Sequence, residues 1–341
     1  MLQNLQRLVA HAGIAGVIGL AAAGNVWAQD ATQYPITIQH AFGETVLTAK
    51  PERIATVNWA NHEVPLALGV VPVGFAAANF GDDDGDGLLP WVTERLEELG
   101  AAVPVLFDEG DGIDFEAVAA TEPDVILAAY SGLTRQDYDT LSQIAPVIAF
   151  PNEPWATDWR DMIRLNSAGM GMAAEGDALI AELEQEIADA ASAYPQLQGQ
   201  PVMFITHLDS ANLSTVSFYT TLDTRVQFFE DLGLVMPQSV VTASETGGFR
   251  GQVSAEQIDV FNDVRILVTY GGQDLVNALN ADPLTSRMPA VASGAIVTLA
   301  NDPLGTAANP TPLAISWVLE DYVRRIAEAA DKAIAATPAA P

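Results

Sequence analysis

Ile113-Asp114-Phe115-Glu116-Ala117-Val118 runs on to Val125-Ile126-Leu127-Ala128-Ala129-Tyr130-Ser131-Gly132. Much later, Val253-Ser254-Ala255-Glu256-Gln257-Ile258 runs on to Arg265-Ile266-Leu267-Val268-Thr269-Tyr270-Gly271-Gly272. The register is the same in both, with a tyrosine fourteen residues after the glutamate. Each passage reads as a short capped helix, a turn near Asp124 or Asp263, a buried strand and a Tyr-x-Gly stop. Asp114 and Ser254 stand two residues before the glutamates, where an N-cap puts an acid in the first helical turn. One such unit is a common α/β fragment. Two of them predict two lobes of one design, facing each other across a cleft.

The rest of the chain alternates in the same way. Apolar runs at 54–57, from 71 onward, and at 103–107, 125–129 and 146–150 read as strands, with helical patterns at 64–68 and 91–99 between them. The alternation resumes at 201–206, 266–268 and 295–299, and an amphipathic helix at 312–336 closes the chain. Strands alternating with helices predict mostly parallel sheets flanked by helices. Between the halves, Leu179, Ile180, Leu183 and Ile187 recur at helical spacing, with Gly169, Gly171 and Gly176 before them and Pro195 and Gly199 after. A helix of about 20 residues spans roughly 30 Å, enough for a strut between lobes. The expected fold is therefore α/β, with two lobes joined by one long interdomain helix. The expected divisions are a leader at 1–28, one lobe at 29–158, a linker at 159–195 and a second lobe at 196–341.

Arg7, the apolar run 8–23 and the small-residue end at Ala28 read as a secretory signal peptide cleaved before Gln29. With no cysteine in the chain there is neither a disulfide framework nor a lipid-attachment thiol. A soluble periplasmic protein, monomeric once processed, is the expectation. The 44 acids against 14 Lys and Arg give a formal charge of −30. Nucleic-acid binding needs clustered cations and is disfavoured; the acids suit a solvated, aggregation-resistant face.

No Gly-x-Ser-x-Gly elbow, Walker loop or His-Glu-x-x-His occurs, so no catalytic group is assigned. His40 precedes the first strand of the fold and reads as a surface residue. His62 and His207 each fall near a strand end, one per half, where they could meet in the cleft or simply hydrogen-bond their loops. Asp82, Asp84 and Asp86 have the spacing of the front of a calcium loop, but Thr93 stands where the closing glutamate belongs, and an acidic surface turn is the alternative. Ligands on parallel sheets collect at the carboxyl ends of strands. Trp59, Asn61, Phe80, Tyr130, Trp155, Tyr219 and Tyr270 fall near such ends, as Trp91 and Trp159 do. Together they form either a sheet rim or an apolar platform for a flat ligand. Arg135, just after the Tyr130 loop, and Arg250, in Gly247-Gly248-Phe249-Arg250-Gly251, suit either an anion clamp or a surface ion pair.

Pro51-Glu52-Arg53-Ile54 followed by Leu66-Ala67-Leu68-Gly69-Val70-Val71-Pro72-Val73-Gly74 resembles the opening of the periplasmic iron-siderophore binding proteins of ABC importers (class III, with a helical backbone). Asp124-Val125-Ile126-Leu127, Tyr130-Ser131-Gly132-Leu133-Thr134 and Leu141-Ser142-Gln143-Ile144-Ala145-Pro146-Val147 resemble it further, as do Pro283-Leu284 and Met288-Pro289-Ala290-Val291 with Gly294. The resemblance implies a substrate-binding protein without catalysis, whose iron arrives already chelated and needs no cofactor. For such a protein, the residues read above near strand ends and in their loops give the expected ligand contacts: Trp59, Asn61, Phe80, Tyr130, Arg135, Trp155, His207, Tyr219, Arg250 and Tyr270. It also implies docking of Glu116 and Glu256 onto the membrane permease, with both helix starts expected away from the cleft. The wider set of such proteins includes haem and metal-ion binders. Tyr130, Tyr270, His62 or His207 as direct ligands is therefore the alternative.

Overall fold

Strand and helix alternate as the apolar runs predict in the computed structural model, which describes residues 33–245 and 247–337; the expected signal peptide lies outside them. A hairpin of β1 (Ile36–His40) and β2 (Gly43–Leu47) leads into β3 (Ile54–Thr56), α1 (Glu63–Ala67), β4 (Gly74–Ala76), α2 (Pro90–Glu98) and β5 (Val105–Phe107). There follow α3 (Phe115–Ala120), β6 (Val125–Ala128), α4 (Arg135–Leu141) and β7 (Val147–Ala149). Two helices, α5 (Trp159–Gly169) and α6 (Ala173–Ser192), carry the chain to its second half. That half opens with β8 (Val202–Ile205), β9 (Thr215–Tyr219), α7 (Thr224–Asp231), α8 (Gln238–Ser244) and β10 (Arg250–Ser254). It closes with β11 (Ile266–Tyr270), α9 (Gln273–Ala281), α10 (Pro289–Ala292), β12 (Ile296–Leu299), α11 (Pro303–Ala307) and α12 (Pro312–Ala336).

The first sheet has the order β5-β4-β3-β6-β7 and the second β10-β9-β8-β11-β12. The two copies of the repeated passage supply β6 and β11, which occupy the same slot, fourth in each sheet. Both strands are buried along their whole length, as strands covered on both faces must be. The helical part of the repeat is less equal. Asp114 caps α3 by accepting from Ala117 N, whereas the Ser254 hydroxyl closes on Glu256 N and begins a 3₁₀ segment, Ala255–Phe261.

The expectation of two mostly parallel sheets holds only for the first, in which every pairing is parallel. In the second, β9 runs antiparallel to both β8 and β10. Residues 206–214 are too few for the helical crossover that a parallel neighbour needs, so the chain turns straight back. The β1–β2 hairpin, β9 and β10 went unread in the sequence. His40, expected at the surface, is buried, with Nε2 at 2.9 Å from Thr45 Oγ1.

Besides α6, the helix α12 also touches both halves of the chain. α12 packs against α1, α2 and α6 as well as β11 and β12. Its first turn is fixed by Glu63, a fully buried carboxylate whose Oε2 accepts from Leu313 N at 3.0 Å and Ala314 N at 3.3 Å. Oε1 accepts from Trp91 Nε1 at 2.8 Å. Burial pushes the Glu63 carboxyl above its usual range, and the three N–H donors hold it down in part. A second tie lies between α5 and α7, where Asp231 accepts from Trp159 Nε1 and from Arg160, which also reaches Glu184 of α6. Trp91 and Trp159 are therefore structural joints.

Candidate ligand cleft between the two sheets

After β3 the chain turns through Asn58, Trp59 and Ala60, with left-handed backbone at Asn58 (φ 60°) and Ala60 (φ 58°). The turn is held from outside: Asn58 N and Nδ2 donate to Glu109, at 3.0 and 3.1 Å, and Asn58 Oδ1 accepts from Gly132 N at 3.0 Å. Trp155 is left-handed as well (φ 60°), its amide donating to Ser131 O at 2.9 Å. Such conformations disfavour residues with a Cβ and persist where the surroundings impose them, as at binding sites. Gly132 shows why the first Tyr-x-Gly ends in glycine. A Cβ there would lie 2.3 Å from the Trp155 indole nitrogen, in space the ring already fills.

Asn61 is the hub behind this wall and does not belong to it. Fully buried, it donates from Nδ2 to Val57 O and Tyr130 O, each at 2.8 Å. Its Oδ1 accepts from Tyr130 N and Asn166 Nδ2, each at 3.0 Å. The expectation that Asn61 contacts ligand is corrected: every bond it makes ties the loops after β3 and β6 to each other and to α5. Tyr130 stands on that support, with its ring edge against Trp155 at 5.4 Å between centroids and its hydroxyl 3.4 Å from Asn309 Nδ2.

The opposite wall comes from the second sheet. His207, after β8, stacks on Tyr270 at the end of β11, centroids 4.4 Å apart and planes 10° apart, and Phe80 abuts both rings edge-on. Arg225, in the first turn of α7, is pinned to the fully buried Asp223: Nε to Oδ1 at 2.8 Å and Nη2 to Oδ2 at 2.6 Å. Its guanidinium lies 3.7 Å from the Tyr219 ring centroid, and Nη1 points at Tyr270 Oη, 3.4 Å away. Arg250 sits over Phe249 and beside Tyr219, at 4.9 and 5.7 Å, and forms no ion pair among the described residues. Between the walls is a cavity of about 460 Å³, lined by Trp59, Phe80, Tyr130, Trp155, His207, Tyr219, Arg250 and Tyr270 among others.

Burial pushes the Tyr219 phenol up to about 12 and Tyr130 higher still. Both stay neutral and able to donate hydrogen bonds. Burial, with Arg250 and Arg225 nearby, lowers His207 below the usual imidazole range. With Arg225 matched by Asp223, the net charge of the cleft at neutral pH rests on Arg250 alone.

Two further expectations are corrected. Arg135 opens α4 on the outer surface, paired with Asp139 at 3.0 Å, bonded to Phe42 O and placed over the Tyr138 ring. The first residue of a helix that runs outward from the Tyr130 loop carries its side chain away from the cleft. His62 does not meet His207. It is buried in the first lobe against Phe75, centroids 4.3 Å apart, where burial lowers its pKa to about 3. Arg225, Phe249, Thr306 and Asn309 went unread; the one sequence signal was Asp223-x-Arg225, an N-cap acid with a cation two residues on.

Asp82, Asp84 and Asp86 do cluster, with carboxylate oxygens within 4.8 Å of one another, the only such group among the described residues. They accept backbone N–H groups of their own loop, at Gly85, Asp86, Gly87 and Leu88. Glu116 and Glu256 are exposed. Contrary to the expectation, their helix starts lie on the cleft edge. α3 follows the carboxyl end of β5 by way of residues 108–114. In the second sheet Gly251 and Ile205 both pair with Phe218, so β10 at Ser254 has run past the carboxyl end of β8.

Two lobes, each ending its strands on a shared cleft walled by aromatic rings and arginine, make a binding protein of the bilobal solute-capturing class. The profile of the family described as "Periplasmic binding protein" matches residues 54–303, and the chain belongs to that family. The crystal structure of Streptococcus pneumoniae PiaA in complex with ferrichrome is similar, with a TM-score of 0.84 and 42% identity over 87% of this chain and 99% of that one. The Fe(3+) dicitrate-binding periplasmic protein FecB of Escherichia coli is 28% identical over 75% of this chain and 79% of its own. YfiY of Bacillus subtilis, a probable siderophore-binding lipoprotein, is 29% identical over 45% of this chain and 44% of its own length.

Proposed function

We propose that this protein is the extracytoplasmic receptor of an ABC importer and captures a ferric siderophore, of hydroxamate rather than catecholate type, in the interlobe cleft. The observation that carries the reading is the lining of the cleft: aromatic faces, neutral phenols and two arginines, one of them free of any carboxylate. A chelator already fills the coordination shell of iron. The receptor then needs apolar surface for the carbon skeleton and donors for the chelating oxygens, which Arg225, Arg250, Tyr130 and Tyr219 supply. A cleft with about one net positive charge, on a chain of formal charge −30, suits a neutral or weakly anionic chelate better than a highly anionic one. A bare metal ion would want several imidazole or carboxylate groups converging, and the only such triad among the described residues is the three acids of the Asp82 loop.

In the same reading the protein works outside the cytoplasmic membrane as a monomer, without catalysis. It presents the loaded cleft to the permease through Glu116 and Glu256. Quenching of tryptophan fluorescence by ferrichrome, a ferric tricatecholate, ferric dicitrate, haem and zinc tests the ligand class. Saturable quenching by the hydroxamate at the lowest concentration is expected; quenching by haem or zinc alone would sink it. For docking, the Glu116→Ala, Glu256→Ala double variant should keep its affinity and lose uptake through the cognate importer. Wild-type uptake would reduce both residues to first-turn acids.

A further inference from the structure

The cleft does not end at its first wall. Behind Trp59 and Trp155, which line both spaces, a second cavity of about 330 Å³ runs into the first lobe. It exists because the residues facing it are small: Ala76 ends β4, Ala77 and Ala78 follow it, and Gly112 and Gly132 come from the loops opposite. Phe75, Leu88, Leu89 and Leu133 give it apolar sides. Its charged groups are all acids, beside the neutral Asn58 and Asn79. Glu109 and Asp137 face it, and neither forms an ion pair among the described residues. His62, 7% exposed, also lines it, and its Nδ1 has no hydrogen-bond partner.

A half-buried carboxylate without a counter-ion, in a cavity with apolar sides that an unpartnered imidazole nitrogen also lines, is complementary to an alkylammonium group. The methylene stem fits the alanine and leucine walls, and the N–H donors meet Glu109 and His62. Burial lowers His62 and keeps its imidazole neutral, so it does not repel a cation. We infer that this side cavity is a subsite for an amine-terminated aliphatic arm of the ferric siderophore, entered from the main cleft between Trp59 and Trp155. The inference rests on the ferric-siderophore reading above and adds to it that the preferred ligand carries a pendant cationic chain.

The test uses three ferric hydroxamates: ferrioxamine B, a linear chelate with a pentylammonium arm; its N-acetylated form; and ferrichrome, which has no such arm. Acetylation should weaken binding to the wild-type protein about tenfold, the scale of one charge-assisted contact. Glu109→Gln should remove that difference by weakening only the amine. Ala77→Leu, which alters volume and no charge, should weaken both linear chelates and leave ferrichrome unchanged. Equal affinity of the amine and its acetylated form for the wild type would overturn the subsite. So would a loss of ferrichrome binding in Glu109→Gln as large as the loss of the amine, since Glu109 would then act only by holding Asn58 and Trp59. Binding of ferrichrome without ferrioxamine B overturns the subsite alone. If none of the three chelates binds, the hydroxamate reading falls with it.

Discussion

The two lobes share a design and divide the chemistry. The first is an all-parallel sheet whose contribution to the cleft is neutral: Trp59, Tyr130 and Trp155, held by the amide of Asn61 and by three left-handed residues. The second breaks its parallel order with β9 and brings charge: Arg225 clamped to Asp223 beneath, Arg250 on the edge strand. A neutral wall can be rigid without a counter-charge. A charged wall must be neutralised wherever it is buried, and Arg225 with Asp223 is where this molecule does so.

The contrast is broken most severely at Asp223. Asp223→Ala strands the Arg225 guanidinium, and thermal or urea unfolding should register a loss of about 3–5 kcal/mol, the range for a buried pair deprived of one partner. A loss below about 1 kcal/mol would show Arg225 reaching solvent instead. In the neutral lobe the matching weakness is acid. The His62 pKa is about 3 folded against about 6.5 unfolded, so the unfolded chain binds the extra proton first. Stability should therefore fall as pH drops from about 6.5 toward 3, by on the order of 3–5 kcal/mol for this group. Urea midpoints over that window should show a steeper decline for the wild type than for His62→Phe, which keeps the stack on Phe75 and cannot titrate. Parallel curves would mean that His62 protonates in place.

Arg250 sharpens the contrast from the other side. Arg250→Ala should weaken an anionic or strongly polarised ferric chelate by about 1.5–3 kcal/mol. Stability should change by no more than about 1 kcal/mol, because an exposed arginine stabilises little. Unchanged affinity by fluorescence titration would remove it from the site. The smallest effect belongs to Arg135→Ala. Its exposed pair with Asp139 contributes about 0–1 kcal/mol, and cleft affinity should stay at the wild-type value; a tenfold loss would return Arg135 to the ligand.

The lobes differed in legibility for the same reasons. β6 and β11 were readable because strands buried on both faces are continuous apolar runs, and their Tyr-x-Gly ends marked one wall position in each half. β9 and the edge strand β10 carry polar residues or glycine among their apolar ones and gave no run to see. Asn61 and a ligand-binding asparagine look alike in sequence, since both follow a strand. Only the backbone groups around the side chain reveal that all its bonds are spent on the fold. Arg135 misled because proximity in sequence ignores which way a helix's first residue points. Arg225 was hidden because its role depends on Asp223 being buried, which spacing alone does not tell.

The link between Glu63 and the start of α12 has a consequence for the order in which the molecule is made. The carboxylate accepts amides 250 and 251 residues further along the chain. The first lobe leaves the ribosome with a carboxyl set into its apolar face and no helix to cap. Closing a loop of that length costs little more than closing one half as long, but it must wait until Leu313 and Ala314 have been made. A chain ending before Pro312 would leave Glu63 with the Trp91 donor alone, and circular dichroism of such a truncation should show the first lobe loosened along with the second. The first lobe is completed by α12, and until that helix arrives Glu63 lacks two of its three N–H donors.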